Sequence, residues 1–371
     1  MPQTAEPVLK LRALNRATLQ RQMLLERSRR SIPAAVEHLM GLQHQAPNAP
    51  YFALWTRLAR FDAPALTTLM QQRRLVRCAM MRGTLHLVSA RDLLALRPVL
   101  QPVLKRALYA SHGRHLQELD LHTLADAGRA LLCAQPLNSG ELGKALAEHW
   151  PGRDSNALAM GVRTAEALVH VPPAGTWNSH QNAVLLPAQA WLGQPLAGSD
   201  SPDKLVLRYL GAFGPASAPD IATWSGLTGL AETLDRLSPR LRRYRDEQGR
   251  VLHDLQRAPL PDPDTPAPVR LLGEFDNLVL SHADRRRVLA EEHRSRVMTV
   301  NGQVRGCVLV DGFVQGTWKL VRDKQQAELV VEPFRQLKAA ERDAVSAEAQ
   351  LALAFAAGDA AQQRVQFAQA L

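Results

Sequence analysis

The sequence predicts a mainly helical α+β fold, in which three tandem winged-helix units precede a C-terminal β-rich region with terminal helices. Two observations lead to this prediction. Across residues 1–257 the same order of elements recurs three times: a helix, a helix-turn-helix, and two strand-like segments around a basic turn. After a proline-rich stretch at 258–269, the pattern changes to short runs rich in Val and Leu that are bounded by Gly and Asp.

The first two units are recognised by their helix caps and their alternating segments. In the first unit Ser31 is the expected N-cap of SIPAAVEHLM, and LVRCAMMRGTLHLVSA alternates like two strands around Arg82. In the second unit Asn138 or Ser139 caps NSGELGKALAEHW. The helix NALAMGVRTAEAL then runs into an edge strand, and TWNSHQNAVLLPAQAWL completes the wing.

The third unit has the clearest boundaries. Ser217 lies before Pro219, which is typical of an N-cap followed by the first helical turn. GLAETLDRLSPRL predicts a second helix. LRRYRDEQGRVLHDL then alternates and turns at 247–249, which predicts a two-stranded wing.

The C-terminal region is predicted to contain strands and terminal helices. Its strand-like runs are VRLLGEF, DNLVLS, GQVRGCVLV, FVQGTWKLV and AELVVEPF. The dipeptide Asp311-Gly312 between two of these runs indicates a hairpin. A helix is expected over 336–356, with a shorter helix to the end of the chain. The predicted domain limits are 1–115, 116–197 and 198–257 for the winged helices, 258–269 for a linker and 270–371 for the last region.

Length and composition exclude several classes of protein. The chain has 371 residues and is 46% hydrophobic, which is enough to build a core and argues against general disorder. No apolar run approaches the ~20 residues of a membrane span, and the N-terminus lacks the apolar stretch of a signal peptide. The three cysteines form no CxxC pair and fit a reducing compartment. We therefore expect a cytoplasmic protein, associated with the nucleoid when it binds DNA.

The net charge of +10 has two interpretations. Only seven of the 45 basic residues are lysine, and a GC-rich genome would enrich arginine in this way. Alternatively, the excess arginine neutralises a polyanion. Arginines such as Arg242 and Arg243 lie around the third wing, where a winged helix would contact the nucleic-acid backbone. A solvated charged face is the simpler alternative.

The segment around Gln43, His44 and Gln45 is the strongest candidate for a functional site. It follows a helix and precedes PNAP, which favours an extended backbone. In an extended backbone the two glutamines project to the same side, whereas in a helix they diverge. The alternative is a polar helix end with solvated glutamines.

The motifs GLQHQAPNAPYFALWTRL, MRGTLHLVSARDLLALRP, FDNLVLSHADRRRVL and VLVDGFVQGTWKL resemble the AlkZ-like winged-helix DNA glycosylases over nearly the whole chain. Some members of that family unhook interstrand crosslinks and remove N7-alkylguanines. The resemblance implies that Gln43 and Gln45 are catalytic, in the Gln-x-Gln branch. His44 departs from the apolar residue that is common between them, which leaves open whether it packs or takes part. The implied partner is double-stranded DNA with alkylated bases.

The same resemblance places further residues near the catalytic segment. Arg82, Thr84 and His86 would share one face of an alternating strand and hold a phosphate, the sugar or the glutamines, unless they are ordinary wing residues. Weaker candidates follow in SHADRRR; they are His282, Asp284 and Arg285. Asp284 could pair with its arginine neighbours for structural reasons alone. Trp224 and Trp318 are expected in the core.

The residue types fit the chemistry. A glutamine amide cannot ionise and is a poor general base, but it can orient a water and offer its carbonyl dipole to developing positive charge. A base alkylated at N7 is already cationic and leaves easily, so an amide pair suits such lesions and not normal bases. No lysine lies near Gln43, which favours a monofunctional hydrolase over a Schiff-base lyase.

Other site classes are not indicated, and one alternative function stays open. The sequence has no P-loop, no dinucleotide-binding glycine motif and no HExxH, so we expect no cofactor and no metal. The alternative is a non-catalytic winged-helix DNA-binding protein or regulator, with the glutamines merely polar. Regulators usually dimerise on two half-sites, whereas three winged helices in one chain favour a monomer on one duplex.

Overall fold

The structure is a computed structural model that describes residues 6–323 and 325–369. It confirms the mixed, mainly helical fold with three successive winged helices. A short strand β1 (Val8–Leu9) and helix α1 (Leu11–Arg21) precede the first of them. No helix in this described part is long and apolar enough to cross a membrane.

The first winged helix has three helices and a three-stranded sheet. Its elements are α2 (Ile32–His38), β2 (Leu42–Gln43), α3 (Ala49–Trp55), α4 (Ala63–Gln71), β3 (Leu75–Ala79) and β4 (Leu85–Ser89). Ser31 caps α2 as predicted, because its side chain accepts a hydrogen bond from the Ala34 amide. The short strand β2 pairs with β4, which in turn pairs with β3. The strand β2 therefore holds the Gln43 segment against the wing.

The second winged helix repeats this order after the long helix α5 (Ala90–His112). Its elements are α6 (Leu121–Ala134), β5 (Leu137–Asn138), α7 (Ser139–His149), α8 (Ser155–Ala165), β6 (Leu168–Val171), β7 (Val184–Pro187) and α9 (Ala188–Leu192). Asn138, not Ser139, is the N-cap, and it forms a capping box with Glu141. The strand β6 pairs with both β7 and β3. It is therefore central in the sheet, and its prediction as an edge strand was wrong.

The third winged helix is the most compact. Its elements are α10 (Asp203–Phe213), α11 (Ala218–Ser225), α12 (Leu230–Arg236), β8 (Leu241–Asp246) and β9 (Val251–Leu255). Ser217 caps α11 as predicted. A single bridge between Ala216 and His253 takes the place that β2 and β5 have in the other two units. The strand β1 adds to the far side of β8.

The pairing of β3 with β6 joins the first two units into one six-stranded sheet, in the order β2-β4-β3-β6-β7-β5. This order is nearly symmetric about the β3–β6 pair. A contact at that pair places Arg77 opposite His170. The second unit is thus attached directly to the wing that carries the Gln43 segment.

The C-terminal region forms a five-stranded sheet with helices around it. Its elements are β10 (Arg270–Leu272), α13 (Asn277–Leu280), α14 (Arg294–Val297), β11 (Gly306–Val310), β12 (Phe313–Arg322), β13 (Gln326–Pro333), α15 (Ala339–Ala357) and β14 (Gln362–Phe367). The hairpin at Asp311-Gly312 is confirmed by the pairing of β11 with β12.

Two predictions for this region were wrong. The run DNLVLS is not a strand but contains α13, because the Asp276 side chain accepts from the Leu278 amide and caps a helix. The last segment is not a helix but the strand β14, which pairs in parallel with β13. Its alternating sequence QQRVQF suits an edge strand.

Buried ion pairs tie the N-terminal helices to the later regions. Arg57 forms two hydrogen bonds to Asp276, and both side chains are 1% exposed. Arg21 likewise donates two hydrogen bonds to Asp254 of the third wing. Removing one partner of such a pair leaves a buried charge without compensation, which is strongly destabilising. The proline-rich stretch has no helix or strand, and it packs on α1 through hydrogen bonds from Arg12 and Arg16.

Candidate active site

The Gln43 segment is extended at Leu42 and Gln43, as the sequence predicted, but the strand ends there and Gln45 lies in a bend. Gln43 lies opposite His86 in the antiparallel pair of β2 and β4, and the His44 amide continues the ladder by donating to the Leu85 carbonyl at 2.7 Å. Side chains alternate across such a strand. The His44 ring consequently lies on the face opposite the Gln43 side chain.

Arg82 holds the Gln43 side chain. One terminal nitrogen of its guanidinium donates to Gln43 Oε1 at 2.7 Å, and the other donates to the Trp224 carbonyl at 2.6 Å. Burial and the nearby charge of Arg285 lower the pKa of Arg82 to about 10, so it stays protonated at neutral pH. With Oε1 bound to a cation, the Gln43 amide is fixed in one orientation and its oxygen is less free to support positive charge.

Gln45 has a different environment. Gln43 is 8% exposed, whereas Gln45 lies open to solvent. No side-chain hydrogen bond joins the Gln45 amide to any of the described residues. Of the two glutamines, Gln45 is therefore the one whose carbonyl and amino groups are both available to a water or a substrate.

His44 is a packed residue in this arrangement. Its Nε2 lies 2.9 Å from the Gly175 carbonyl and donates to it, and burial lowers the pKa of the ring well below its usual value. Arg77 Nε donates to the His44 carbonyl at 3.1 Å. Gly175 has a φ of +84°, and a Cβ there would meet Arg77 at 2.8 Å and the His44 ring at 3.1 Å. A neutral His44 therefore ties the Gln43 segment to the loop after β6.

Two of the residues expected beside the glutamines do lie there. Arg82 contacts Gln43 directly, and His86 is its partner across the strand pair. Arg82 is not on a strand, however, but in the turn before β4 with a φ of +58°. Thr84 faces back to that turn, where its hydroxyl donates to the Met81 carbonyl.

His86 is fully buried and neutral. Its Nδ1 donates to the Thr84 carbonyl at 3.0 Å, which leaves the Nε2 lone pair without a partner among the described residues. Burial, with the charge of Arg82 in second place, lowers the pKa of His86 to about 3. The ring is therefore a very weak base beside Gln43.

Residues 273–277 were missed as neighbours of the site by the sequence reasoning. Asn277 Nδ2 donates to the Gly41 carbonyl at 2.8 Å, just before β2. At the other end of the segment, a Cβ on Gly273 would lie 3.2 Å from the Ala49 carbonyl. This C-terminal segment therefore runs alongside residues 41–49. The left-handed Phe275, with a φ of +55°, is a feature that no propensity signals.

Comparison with known proteins identifies the family. A model of the DNA glycosylase AlkZ-like family matches residues 36–355. The chain belongs to the AlkZ-like DNA glycosylase family. It is 27% identical over 360 residues to an interstrand DNA cross-link repair glycosylase of Streptomyces sahachiroi, a match that covers 89% of this chain and 92% of the relative.

The fold agrees with the same relative. The solved structure of the Streptomyces sahachiroi DNA glycosylase AlkZ superimposes with a TM-score of 0.79 at 23% identity. The match covers 97% of this chain and the whole of that one. As an AlkZ-like DNA glycosylase the protein is a hydrolase that acts on DNA, and the non-catalytic DNA-binding alternative is not supported.

In the structure of this AlkZ-like glycosylase, the candidate site residues of SHADRRR have different environments. His282 is 1% exposed, its Nε2 donates to the Phe213 carbonyl at 3.1 Å, and burial lowers its pKa to about 3. Asp284 pairs with Arg250 and Arg286, which lower its pKa well below the usual range. Both therefore have structural partners away from the glutamines.

Arg285 is the exception in that segment. Its Nε donates to the Val279 carbonyl at 3.0 Å, and its charge is near enough to lower the pKa of Arg82. Arg285 therefore lies near the guanidinium that holds Gln43. In contrast, Arg242 and Arg243 on β8 pair with Asp254 and Glu6, at 3.5 Å and 2.9 Å, and contact neither glutamine.

Trp224 and Trp318 are in the core as predicted, with exposures of 0% and 8%. Within residues 6–323 and 325–369, no group of His, Cys, Asp and Glu is arranged to hold a metal ion. The site therefore contains two amides: Gln43, which Arg82 holds, and Gln45, which is exposed. The imidazoles of His44 and His86 next to them are neutral.

Proposed function

We propose that this glycosylase hydrolyses the N-glycosidic bond of N7-alkylated purines in double-stranded DNA, and that Gln43 and Gln45 carry the reaction. The observation that supports this most strongly is the contrast between the two amides. Arg82 fixes Gln43 through its oxygen, while Gln45 is exposed and unengaged by the described residues.

The two glutamines have distinct roles in this proposal. The Gln45 carbonyl accepts a hydrogen bond from a water and orients it towards C1′ of the sugar. The Gln43 amino group, which is turned away from Arg82, donates to the sugar or the phosphate of the same nucleotide. The expectation from sequence was that the amide pair together positions water and supports the oxocarbenium-like sugar; we assign the water to Gln45 alone, because the Gln43 oxygen is already bound to a guanidinium.

Weak acid–base machinery is consistent with a cationic leaving group. Neither amide ionises near neutral pH, and the pKa values of His44 and His86 are lowered by burial. An N7-alkylated purine departs as a neutral base, so it needs no protonation by the enzyme. An unmodified purine would need protonation to leave, so the site would not excise an unmodified purine.

We also propose that the enzyme unhooks interstrand crosslinks. The relative from Streptomyces sahachiroi has the name interstrand DNA cross-link repair glycosylase. A site whose second glutamine is exposed, just after a strand that pairs with a wing, can work on a nucleotide without enclosing a bulky lesion. We further propose that the enzyme binds as a monomer, with its three winged helices along one duplex.

The test is excision from a duplex that carries a single N7-methylguanine, followed by alkaline cleavage at abasic sites. Strand cleavage above the spontaneous rate, lost in Gln45→Ala, is the expected result. A duplex with a nitrogen-mustard crosslink tests unhooking in the same assay. Release at the spontaneous rate from both substrates would refute the proposed substrate class.

A further inference from the structure

A cleft of about 490 Å³ opens beside the catalytic segment, between α3, the loop after β6 and the C-terminal sheet. Asn48, three residues after Gln45, lies on its wall. Three aromatic side chains line it as well: Phe52, Trp177 and Trp318. The wall of the cleft thus begins three residues after Gln45 along the chain, and it includes aromatic side chains.

The wall of this cleft is held rigidly. Asn48 and Asn178 exchange two hydrogen bonds, at 2.7 Å and 2.8 Å. The Trp318 indole donates to the Leu272 carbonyl at 2.7 Å, and its ring lies 5.0 Å from that of Phe52. Trp177 packs on neighbouring rings and is only half-buried. Its free surface is an aromatic face that is available for stacking.

Glu274 supplies a negative charge at this cleft. It belongs to the segment that runs beside residues 41–49, and it makes no ion pair or side-chain hydrogen bond with the described residues. Of the three basic residues on the wall, Lys319 pairs with Glu332 and Arg322 with Asp359, and His180 is exposed to solvent. Burial raises the pKa of the Glu274 carboxyl group, and a cation bound beside it would favour the charged carboxylate again.

We propose, on the basis of the proposed function, that this cleft is a subsite for a planar aromatic group with a positive charge, carried by the N7 substituent of an adduct. Guanine N7 lies in the major groove, so a bulky substituent projects outward from the reacting nucleotide. An aromatic face stabilises a cation, and the Glu274 carboxylate adds opposite charge. A methyl substituent would not reach the cleft.

Three otherwise identical duplexes test the subsite. They carry N7-methylguanine, N7-benzylguanine, or N7-benzylguanine with a trimethylammonium group on the ring. Wild-type kcat/KM is expected to be about tenfold higher for the ammonium adduct than for N7-methylguanine. Glu274→Gln should bring the ammonium adduct down to the level of the benzyl adduct, and Trp177→Leu should lower both. Excision of N7-methylguanine should stay within about twofold of wild type in both variants, because it uses the glutamines alone.

The control is Glu118→Gln, which neutralises an exposed carboxylate that does not line the cleft. A melting curve of each variant shows whether Trp177→Leu still folds, and Glu274→Gln alone suffices if it does not. Equal rates for the three adducts in the wild type would overturn the subsite, as would an equal loss on all three in Glu274→Gln.

Failure of the proposed function can be distinguished from failure of the subsite. If the wild type releases none of the three bases, the proposed function fails, and fluorescence anisotropy with the same duplexes decides on the cleft by itself. Tighter binding of the ammonium duplex, lost in Glu274→Gln but kept in Glu118→Gln, would support the subsite. Equal affinity for the ammonium and methyl duplexes would refute it.

Discussion

The Arg82 guanidinium donates to Gln43 Oε1 at 2.7 Å and, through its other terminal nitrogen, to the Trp224 carbonyl at 2.6 Å. The first contact sets which end of the amide faces the substrate. The second fixes the guanidinium itself to the helix α11 of the third winged helix. The orientation of a glutamine in the first unit thus depends on a backbone carbonyl in the third.

Arg82→Lys should lower the rate of excision by about 10- to 100-fold, because a lysine cannot reach both acceptors in the planar geometry of a guanidinium. Affinity for DNA should change much less, since the positive charge is kept. Single-turnover excision and fluorescence anisotropy separate the two effects. The matched control is Arg257→Lys, at an exposed position. A parallel loss of affinity and rate in Arg82→Lys would show that Arg82 binds DNA and does not position Gln43.

The glutamines should differ when each is replaced by alanine. Gln45→Ala should reduce kcat by at least about 100-fold with little change in thermal stability, because the side chain is exposed and supports water positioning only. Gln43→Ala should also lower the melting temperature, since one terminal nitrogen of the Arg82 guanidinium loses its acceptor while the other keeps the Trp224 carbonyl. Melting curves alongside single-turnover assays check both statements. Identical stability of the two variants would contradict the role given to Arg82.

Local signals in the sequence were sufficient for most of the fold. The N-caps Ser31 and Ser217 and the Asp311-Gly312 turn are encoded within a few residues, and each is where it was predicted. The same kind of signal misled at Asp276, where a residue taken as a strand boundary caps a short helix. The last strand was missed because its pairing with β13, and not its own composition, determines it.

The site was predictable along one strand only. The extended backbone at Gln43 follows from the helix end and the prolines that flank the segment, and the nearness of Arg82 follows from a wing strand pair. The contact of Asn277 with Gly41 joins residues 236 positions apart, and Glu274 is brought to the cleft by the same approach. Such contacts depend on how the C-terminal sheet docks, which no local pattern contains.

His44→Leu should leave the excision rate within about threefold of wild type, because the ring faces away from the glutamines and stays neutral. The free energy of unfolding should fall by about 1–3 kcal/mol, since the buried Gly175 carbonyl loses its donor. Gly175→Ala should cost more, because a Cβ there adds both an unfavourable φ and a contact at 2.8 Å with Arg77. Urea denaturation measures both. A loss of excision in His44→Leu without a loss of stability would assign His44 to the reaction.

The stability of the protein should depend on pH through its buried histidines. His86, His170 and His282 each have a pKa lowered to about 3, chiefly by burial. Because an unfolded histidine takes up a proton near pH 6.5, their contribution is complete above that pH and is lost as the pH falls towards 3. Each contributes a slope of up to about 1.4 kcal/mol per pH unit. Urea denaturation at a series of pH values gives the free energy of unfolding as a function of pH. Between about pH 3 and 6.5 this free energy should change less steeply with pH in His282→Gln than in wild type. The control His115→Gln, at an exposed position, should have the wild-type pH dependence.

The rate of N7-methylguanine excision should not fall at low pH in the way expected if a histidine acted as the general base. Gln43 and Gln45 cannot ionise, and burial lowers the pKa of His44 well below its usual value and that of His86 to about 3. Single-turnover kcat between about pH 6 and 8 should therefore be flat after the spontaneous depurination rate is subtracted. A decline with a midpoint near 6.5 that disappears in His86→Asn would mean that its unpartnered Nε2 accepts a proton during the reaction, and the water would then be activated by His86 and only oriented by Gln45.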